Sequence, residues 1–420
     1  MIAKTLSTIC LIIVFSITLA CQKNTDAPVS TTSSLRIANA DNPIIGIDGN
    51  DNVFAIWSTS SGSTSNANPY ASRYSLNEWD KPVFIGDADP GMITLLRLAV
   101  STNGGAFAFW YKETGNIYVS MYIPGTGWGS PEVLGGPLTV LDLQAAADAN
   151  GNAILVWEEP GIPYRLYARR YVPGMGWDAA QAIDDNTGSC VLPRLVTDSV
   201  GNAIAIWQRN DGTYTGIYAN RFTAGSTWGT PVLISNSTTT TAFAPDIAVN
   251  KSGTAMAVWY ENNNETDNAY ARRFVPGTGW DAIQSIESGT SNAYAVRVAI
   301  DDSGTAISLW RQPDLYYSRY MPGIGWGTPQ TIATGFLGDP SIVMNGAGQA
   351  VAVWNQYPAA DSLVYAKTFN LSTGWGGTTN LASELGSADA PHAVMNSQGQ
   401  ATVIWSQTVA GGTAVFIKNY

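Results

Sequence analysis

The sequence is poor in two residue types on which many protein sites depend, since it contains one histidine and three cysteines. A single histidine excludes a metal centre with several histidine ligands, and we expect neither a metal nor another cofactor. The Gly-x-Ser-x-Gly and His-Glu-x-x-His motifs of common hydrolases are also missing. Cys10 and Cys21 belong to the N-terminal segment discussed below, so the body of the protein keeps only Cys190 and has no internal disulfide. We predict that Cys190 is a half-buried thiol without a role.

Charged residues are also scarce, at 13% of the chain, and the formal net charge is -11. The sequence has no basic stripe that would neutralise the phosphates of a nucleic acid, so we expect no nucleic-acid partner. Anionic lipid headgroups repel the same negative charge. Any association with a membrane therefore requires an anchor.

The N-terminus resembles the segments that bacteria use for export and anchoring. Residues 9–19 form an apolar run too short to span a bilayer comfortably, which predicts a signal peptide over 1–20. Residues 18–21, Thr-Leu-Ala-Cys, resemble the lipobox of bacterial lipoproteins, whose cysteine becomes the lipidated first residue. This resemblance implies a lipid on Cys21, a flexible tether over 21–33 and, because Gln22 rather than Asp follows, sorting to the outer membrane rather than the inner. The alternative is a plain cleaved signal with an incidental cysteine.

A repeated motif dominates the rest of the sequence. A Gly or Asn, a small residue and alternating apolar residues lead eight times to a tryptophan, at intervals of 44 to 53 residues. These tryptophans are Trp57, Trp110, Trp157, Trp207, Trp259, Trp310, Trp354 and Trp405. Each copy contains four short strand-like runs joined by turns, which is the pattern of a β-propeller blade. We name these runs a to d in chain order: strand b ends at the tryptophan, and a hairpin, often Pro-Gly-x-Gly-Trp, joins c to d.

We predict an all-β protein in which residues 34–420 form a single propeller of eight four-stranded blades. The last copy ends after its strand c, whereas a short apolar stretch at residues 34–38 precedes the first copy. We expect this stretch to become strand d of the last blade, which closes the ring and leaves no open sheet edge. A seven-bladed ring with one displaced unit is the alternative. We expect the protein to be a monomer.

The loops on the two faces of such a propeller differ in sequence, and this difference indicates where a ligand binds. The a-to-b turns and c-to-d hairpins of one face, the turn face, are monotonous. The b-to-c and d-to-a loops of the other face, the variable face, differ between blades, as loops around binding sites do. On the variable face the first residue of each strand a is predicted to open the central tunnel. These eight rim residues are Ile44, Arg97, Gln144, Arg194, Asp246, Arg297, Ser341 and His392.

Three arginines occupy alternate blades of this rim, and the single histidine occupies the next alternate blade. Arg97, Arg194 and Arg297 favour an anionic small molecule or an acidic glycan, which guanidinium groups bind by bidentate hydrogen bonds. Residues just past the strand-b tryptophan are expected at the same mouth, and we include three of them as site candidates: Glu158, Tyr260 and Arg311. The alternative is that these groups solvate a water-filled tunnel or pair with Asp246 and nearby glutamates.

The tryptophans of the c-to-d hairpins offer a second hypothesis. They are Trp79, Trp128, Trp177, Trp228, Trp280, Trp326 and Trp375. Aromatic faces stack on sugar rings, and the spacing faintly resembles that of fucose-binding propeller lectins. We favour the alternative that each ring packs its blade against the next. The Asp-x-x-Gly-Asn turns indicate calcium only weakly, because turn chemistry explains the same residues.

Two further resemblances bear on function. Arginines at a propeller mouth are similar to the arginine cluster of sialidases, but the Ser-x-Asp-x-Gly-x-Thr-Trp box is absent between strands c and d, so no catalytic residue is assigned. The Gly-Asn-Ala-x-x-x-Trp copies resemble repeats of bacterial envelope lipoproteins in the sialidase-like propeller superfamily. We therefore expect an exported, surface-anchored, non-catalytic module that binds a glycan or an anionic small molecule. A protein-interaction platform of the cell envelope and a sialidase-like glycoside hydrolase are the alternatives.

Overall fold

The computed structural model describes residues 34–420 except 61–66, 88–90, 137–138, 237–239, 263–265, 288, 290, 336, 358–360, 383–385 and 411. The predicted signal peptide over 1–20, the lipidation of Cys21 and the tether over 21–33 lie outside the described residues. The described part is built from β-strands, turns and loops. None of its segments is a helix of the length and apolar character needed to cross a membrane.

The described strands form eight antiparallel sheets, and each sheet is one blade of a ring, as the eight-blade prediction requires. The first strand of the chain is β1 (Ser34–Ala38). Blades 1 to 4 follow in chain order: β2 (Ala40–Ile47), β3 (Val53–Ser60), β4 (Ala67–Ser75), β5 (Glu78–Trp79) and β6 (Val83–Phe84); β7 (Ile93–Val100), β8 (Ala106–Lys112), β9 (Asn116–Ile123), β10 (Gly127–Trp128) and β11 (Glu132–Gly135); β12 (Asp142–Ala147), β13 (Ala153–Glu159), β14 (Arg165–Val172), β15 (Gly176–Trp177) and β16 (Gln181–Ala182); β17 (Ser189–Thr197), β18 (Ala203–Asn210), β19 (Thr215–Phe222) and β20 (Val232–Leu233).

Blades 5 to 8 repeat the same order. Their strands are β21 (Thr241–Val249), β22 (Ala255–Asn262), β23 (Asp267–Val275), β24 (Gly279–Trp280) and β25 (Gln284–Ser285); β26 (Tyr294–Ile300), β27 (Ala306–Arg311), β28 (Leu315–Met321), β29 (Gly325–Trp326) and β30 (Gln330–Ala333); β31 (Ser341–Met344), β32 (Ala350–Gln356), β33 (Leu363–Asn370), β34 (Gly374–Trp375) and β35 (Thr379–Asn380); β36 (Ala388–Met395), β37 (Ala401–Val409) and β38 (Gly412–Asn419). In six of the described blades, strand d is split into two short segments that both pair with strand c.

The ring closes where the sequence predicts. Strand β1 pairs antiparallel with β38, so that Ser34 lies opposite Lys418 and Ala38 opposite Ala414. Blade 8 therefore takes its strands a, b and c from the C-terminus and its strand d from residues 34–38. This pairing confirms eight blades and removes the seven-bladed alternative.

The hydrophobic core is divided among the interfaces between neighbouring blades. Between blades 2 and 3, for example, Phe109 packs with Leu155 and Trp157. The eight strand-b tryptophans are at most 4% exposed. Several stack on the aromatic residue opposite in strand c, as Trp110 does on Tyr118 with ring centroids 5.7 Å apart. Burial of one such ring contributes about 2 kcal/mol or more, which explains why the motif recurs in every blade.

The hairpin tryptophans also contribute to contacts between blades. The ring of Trp177 lies 5.7 Å from that of Phe109 in the preceding blade, and Trp375 lies 5.5 Å from Tyr317. Each hairpin tryptophan packs against the hydrophobic cluster that its blade shares with the preceding one. This packing confirms the blade-locking interpretation, while sugar stacking on these rings stays a prediction.

The a-to-b turns are held by their own aspartate or asparagine. In blade 3, Asp148 Oδ1 accepts hydrogen bonds from the backbone N–H groups of Asn150 and Asn152, and Oδ2 accepts one from Asn152 Nδ2 at 2.6 Å. Turn formation therefore uses both carboxylate oxygens. Among the described residues, no group of three or more His, Cys, Asp or Glu side chains is arranged to hold a metal ion.

Cys190 lies in the core between blades 3 and 4, and the prediction of a half-buried thiol is wrong. The residue is fully buried, and its Sγ donates a hydrogen bond to the carbonyl oxygen of Gly188. Burial raises the pKa of the thiol to about 12, and the negative charge of Asp184 acts in the same direction. The thiol is therefore protonated and inert at neutral pH.

Candidate functional site

In blades 1, 4, 5, 6 and 8 a β-bulge in strand a lies directly before the rim residue. The prediction that the rim residues begin strand a is wrong for most blades, because the strand starts earlier and is interrupted just before the rim residue. In blade 4, β17 starts at Ser189, its register shifts between Val191 and Arg194, and Leu192 adopts a positive φ of 54°. Proline, which has no N–H for the strand ladder, directly precedes five rim residues. These prolines are Pro43, Pro193, Pro245, Pro340 and Pro391.

One cavity of about 890 Å³ lies at the tunnel mouth on the variable face. All eight predicted rim residues line this mouth cavity, as does Arg311. The sequence therefore identified the wall of the mouth correctly. Asn355, which directly follows the strand-b tryptophan Trp354, also lines the cavity, as predicted for residues at that position. Further lining residues, which the sequence analysis did not single out, include Asp339, Tyr357 and Asp389.

The three rim arginines adopt the same backbone-anchored conformation. In each, Nη1 donates to the carbonyl oxygen of the residue before it: Arg97 to Leu96 at 2.8 Å, and Arg194 and Arg297 to their own neighbours at 2.9 Å. Their side chains are between 28% and 32% exposed. The anchoring fixes each guanidinium group at the mouth and leaves its other N–H groups to face partners across the blades.

Two aspartates that the sequence analysis missed are the ion-pair partners of these arginines. Asp142 lies 2.9 Å from Arg97 Nη2 and 3.8 Å from Arg194 Nη1. Asp339 lies 3.1 Å from Arg311 Nη1 and 4.0 Å from Arg297 Nη2. The sequence signal was a carboxylate two residues before a rim position, since Asp142 precedes Gln144 and Asp339 precedes Ser341 in this way.

Asp246, the partner first considered for the arginines, has a different contact. Its Oδ2 accepts a hydrogen bond from the backbone N–H of Val298 in the next blade at 3.0 Å. Gln144 Nε2 donates to Asp142 Oδ1 at 3.0 Å, which joins this rim residue to the aspartate between Arg97 and Arg194. The rim is therefore a network of fixed charges in which acceptors and donors both face the cavity.

His392 reports the electrostatic field of the mouth. Its imidazole lines the cavity and is exposed there. The walls of the mouth lower the pKa of His392 by desolvation, and the positive charges of Arg297 and Arg97 lower the pKa further. The uncharged imidazole is therefore favoured, and the field at this point is positive.

Glu158 and Tyr260, predicted at the mouth, are not among the described residues that line its cavity. Glu158 is 4% exposed, and its Oε2 accepts a hydrogen bond from the backbone N–H of Leu192 in the next blade at 3.2 Å. Tyr260 stacks on Phe243 of its own blade, with ring centroids 5.4 Å apart, and packs against the hydrophobic cluster between blades 5 and 6. At these positions strand b directs its side chain toward the neighbouring blade, so that both residues hold blades together instead of facing the tunnel.

Comparisons with known proteins identify the fold. The BP39L lectin from Burkholderia pseudomallei has a similar structure, with a TM-score of 0.58 and 13% identity over 82% of this chain and 98% of that one. A PL25 ulvan lyase bound to -[GlcA(1-4)Rha3S]- gives a TM-score of 0.51 and 12% identity over 76% of this chain and 91% of that one. Neither a protein-family model nor a curated protein matches the sequence. At these identities the likeness shows the β-propeller fold alone.

Proposed function

We propose that this protein binds acidic glycans at the mouth cavity and does not cleave them, as a module that a lipid on Cys21 attaches to the outer membrane. The observation that carries the proposal is the set of three arginines, anchored alike on blades 2, 4 and 6 around one cavity. A carboxylate or sulfate group on a sugar accepts paired hydrogen bonds from such fixed guanidinium groups. Each charged hydrogen bond contributes about 1.5–3 kcal/mol.

The aspartates of the mouth are suited to bind the hydroxyl groups of a sugar. Asp339 and Asp389 line the cavity beside the arginines, and their carboxylates accept hydrogen bonds from hydroxyl groups. A wall with both kinds of group fits a ligand that carries hydroxyls together with a negative charge. Of the two proteins with a similar fold named above, one is a lectin, and the other is an ulvan lyase whose structure contains a GlcA-containing saccharide.

The proposal is tested with a triple variant of the full chain in detergent, Arg97→Ala/Arg194→Ala/Arg297→Ala. On a glycan array we expect the unaltered protein to retain acidic glycans and the variant to lose them. The three ion pairs involve partly exposed side chains and contribute little stability, so the thermal unfolding midpoint changes by only a few degrees. Lys251→Ala, on the turn face, is the control that removes a positive charge without touching the mouth.

The NMR signals of His392 provide a second test of binding at the mouth. They change only if an acidic ligand binds there, and not if the arginines have a structural role alone. As the only histidine in the chain, His392 gives a single set of imidazole signals in an NMR pH titration. An acidic ligand in the mouth favours the imidazolium form, so its binding raises the pKa of His392, while a neutral sugar does not. Acidic-glycan binding that survives the triple variant contradicts the proposal. Release of sugar from the bound glycan supports the hydrolase alternative instead.

The variable face also carries features of a protein-binding surface, the second candidate function. Ile162, Tyr164 and Tyr214 on the b-to-c loops of blades 3 and 4 are exposed, as is Leu192 in the neighbouring bulge. Exposed aromatic and aliphatic side chains grouped on variable loops are typical of sites for protein partners. Two results together favour this function. The protein binds no glycan on the array, and chemical cross-linking joins it to an envelope protein that the Tyr214→Ser variant no longer captures.

A further inference from the structure

A second cavity lies between blades 2 and 3, away from the mouth. Comparison of one position between the blades explains why this cavity is open. The position is the residue two places after the strand-b tryptophan. In most blades this residue is a long polar side chain that bonds to the loop after strand d of the preceding blade. The contacts are Lys112 to Asp87, Arg209 to Asp185, Gln312 to Glu287, Gln356 to the Thr334 carbonyl and Gln407 to the Gly386 carbonyl.

Blade 5 has a glutamate at this position, and the preceding loop satisfies it fully. Glu261 is 1% exposed and accepts a hydrogen bond from Trp259 Nε1 at 2.7 Å. It also accepts hydrogen bonds from the backbone N–H of Asn236 at 2.9 Å, from the side chain of Asn236 at 3.3 Å and from the hydroxyl of Thr240 at 3.2 Å. The loop therefore gives this carboxylate amide and hydroxyl donors.

Blade 3 has a glutamate at the same position, but the described residues of the preceding loop form no hydrogen bond with it. Glu159 Oε1 accepts a hydrogen bond from Trp157 Nε1 at 2.7 Å, but within the described part of the chain Glu159 has no bond to the preceding blade. The residue that corresponds to Asn236 is Gly136, since both stand two positions after the buried apolar residue of strand d. Among the described residues, Glu159 therefore has no counterpart of the partner that Asn236 provides in blade 5.

A second small residue keeps the same place open. Ala180 stands three positions after the hairpin tryptophan of blade 3, where blade 5 has Ile283 packed against the core. The two small residues, Gly136 and Ala180, line a cavity of about 230 Å³, which we call the inter-blade cavity. This volume is below the range of roughly 300–1,000 Å³ for pockets that hold drug-sized ligands. A ligand of this cavity is therefore about the size of one sugar ring.

The walls of the inter-blade cavity combine an apolar surface with two fixed charged groups. Ile117, Leu155 and Trp157 supply the apolar surface. Arg169 is held in place by hydrogen bonds from Nε to the Asp178 carbonyl and from Nη1 to the Leu134 carbonyl, both at 2.6 Å. The guanidinium group and the Glu159 carboxylate have opposite charges, so the cavity as a whole attracts neither anions nor cations. Such a site suits a neutral ligand with hydroxyl groups.

We propose that the inter-blade cavity binds a single neutral sugar residue, whose hydroxyl groups donate to Glu159 as Asn236 and Thr240 donate to Glu261 in blade 5. Arg169 donates to a further hydroxyl or to the ring oxygen, and the apolar face of the sugar packs against the apolar wall. The site is independent of the mouth, because its residues lie between two blades and share none with the mouth cavity.

Saturation-transfer NMR on the full chain in detergent tests this proposal with the methyl glycosides of galactose, glucose, mannose and fucose as probes. We expect saturable binding of at least one probe. Glu159→Gln removes the charged acceptor and weakens binding about tenfold or more. Ala180→Ile copies blade 5, fills the cavity and abolishes the signal. The matched control is Glu261→Gln, which alters the same position in blade 5 and leaves binding unchanged.

The mouth variant separates this site from the proposed function. Binding of the neutral glycosides persists in Arg97→Ala/Arg194→Ala/Arg297→Ala if the inter-blade cavity is the site, whatever becomes of acidic glycans. The absence of saturable binding of every probe overturns the proposal. So does equal binding by the unaltered protein and by folded Glu159→Gln and Ala180→Ile variants.

Discussion

Glu158 shows how a single residue couples the frame of the propeller to pH. Its carboxyl group is buried between blades 3 and 4 and stands opposite Asp142 in the strand ladder. Burial raises the pKa of Glu158 to about 7; the hydrogen bond from Leu192 N–H opposes this rise, and the negative charge of Asp142 adds to it. The group therefore changes its charge close to neutral pH, at the contact that supports the bulge before Arg194.

This shift predicts a pH-dependent stability with a defined sign. In the unfolded chain Glu158 loses its proton near its usual pKa of 4.5, whereas in the folded protein it keeps the proton up to about pH 7. Between these values the folded state binds more protons, so the free energy of unfolding falls as pH rises. At about 1.4 kcal/mol per pKa unit, the loss amounts to at most roughly 3.5 kcal/mol. Glu158→Gln removes this loss in denaturant titrations from pH 4.5 to 8.

Glu132→Gln, which alters an exposed glutamate on β11, is the control for this measurement. We expect it to retain the pH dependence of the unaltered protein. An unchanged slope in Glu158→Gln would falsify the assignment of the titration to Glu158.

At the level of residues, the sequence located the wall of the mouth better than its partners. The rim positions follow from the repeat itself, because strand a recurs in each copy with the same register. Asp142 and Asp339 act across blades on arginines far away in sequence, and a repeat alignment does not show such contacts. Glu158 and Tyr260 were misplaced for a similar reason, since the sequence does not say whether a strand-b side chain faces the axis or the next blade.

Among the elements, β1 carries the closure of the ring. Leu35 and Ile37 pack against the cluster between blades 8 and 1, which contains Trp57 and Ile417. The strand has only five residues and forms few hydrogen bonds with β38. Its apolar contacts therefore contribute more than these hydrogen bonds to holding β1 in blade 8. This strand completes the last blade, and beside it Trp57 of blade 1 packs in the same cluster as Ile404 of blade 8.

We expect Ile37→Ala to destabilise the protein by about 1–2 kcal/mol, because it removes partly buried methyl groups from the closing contact. Arg36→Ala alters the neighbour in the same strand, whose exposed guanidinium lies 5.8 Å from the centroid of the Phe416 ring, and we expect a smaller effect because no apolar group leaves the cluster. Equilibrium denaturation measures both. Equal effects of the two substitutions would contradict the assignment of the closing contact to the apolar side chains.

The strands differ in how well the sequence predicts them. Strands b and c were predictable because their tryptophan and tyrosine residues recur with strand-like alternation. The break in strand d and the bulge in strand a were not, because each depends on packing against a neighbouring blade. The prolines before five rim residues, such as Pro193, were a usable signal for the bulge that the repeat comparison overlooked.

For the whole molecule, the repeat separates frame from site. Features that recur in every blade, above all the strand-b tryptophans, build the interfaces between blades. The two candidate sites lie where blades differ: the mouth, whose rim residue changes from blade to blade, and the inter-blade cavity, where Gly136 and Ala180 replace larger residues. The position of Ser34 shows on which face of the propeller the described chain begins. It pairs with Lys418 at the end of strand c, so the chain enters the body on the turn face, opposite the mouth.

The described chain therefore starts on the face away from the mouth cavity, so the proposed lipidation of Cys21 is compatible with an accessible mouth. We expect Cys21→Ser to move the protein from the membrane fraction to the soluble fraction, because the acidic surface has no attraction for anionic headgroups of its own. Mass spectrometry of the N-terminal peptide detects the lipid directly. Cys10→Ser is the matched control and stays in the membrane fraction, since Cys10 lies within the predicted signal peptide. A lipid-free N-terminus in the unaltered protein, or a Cys21→Ser variant that remains in membranes, contradicts the anchor.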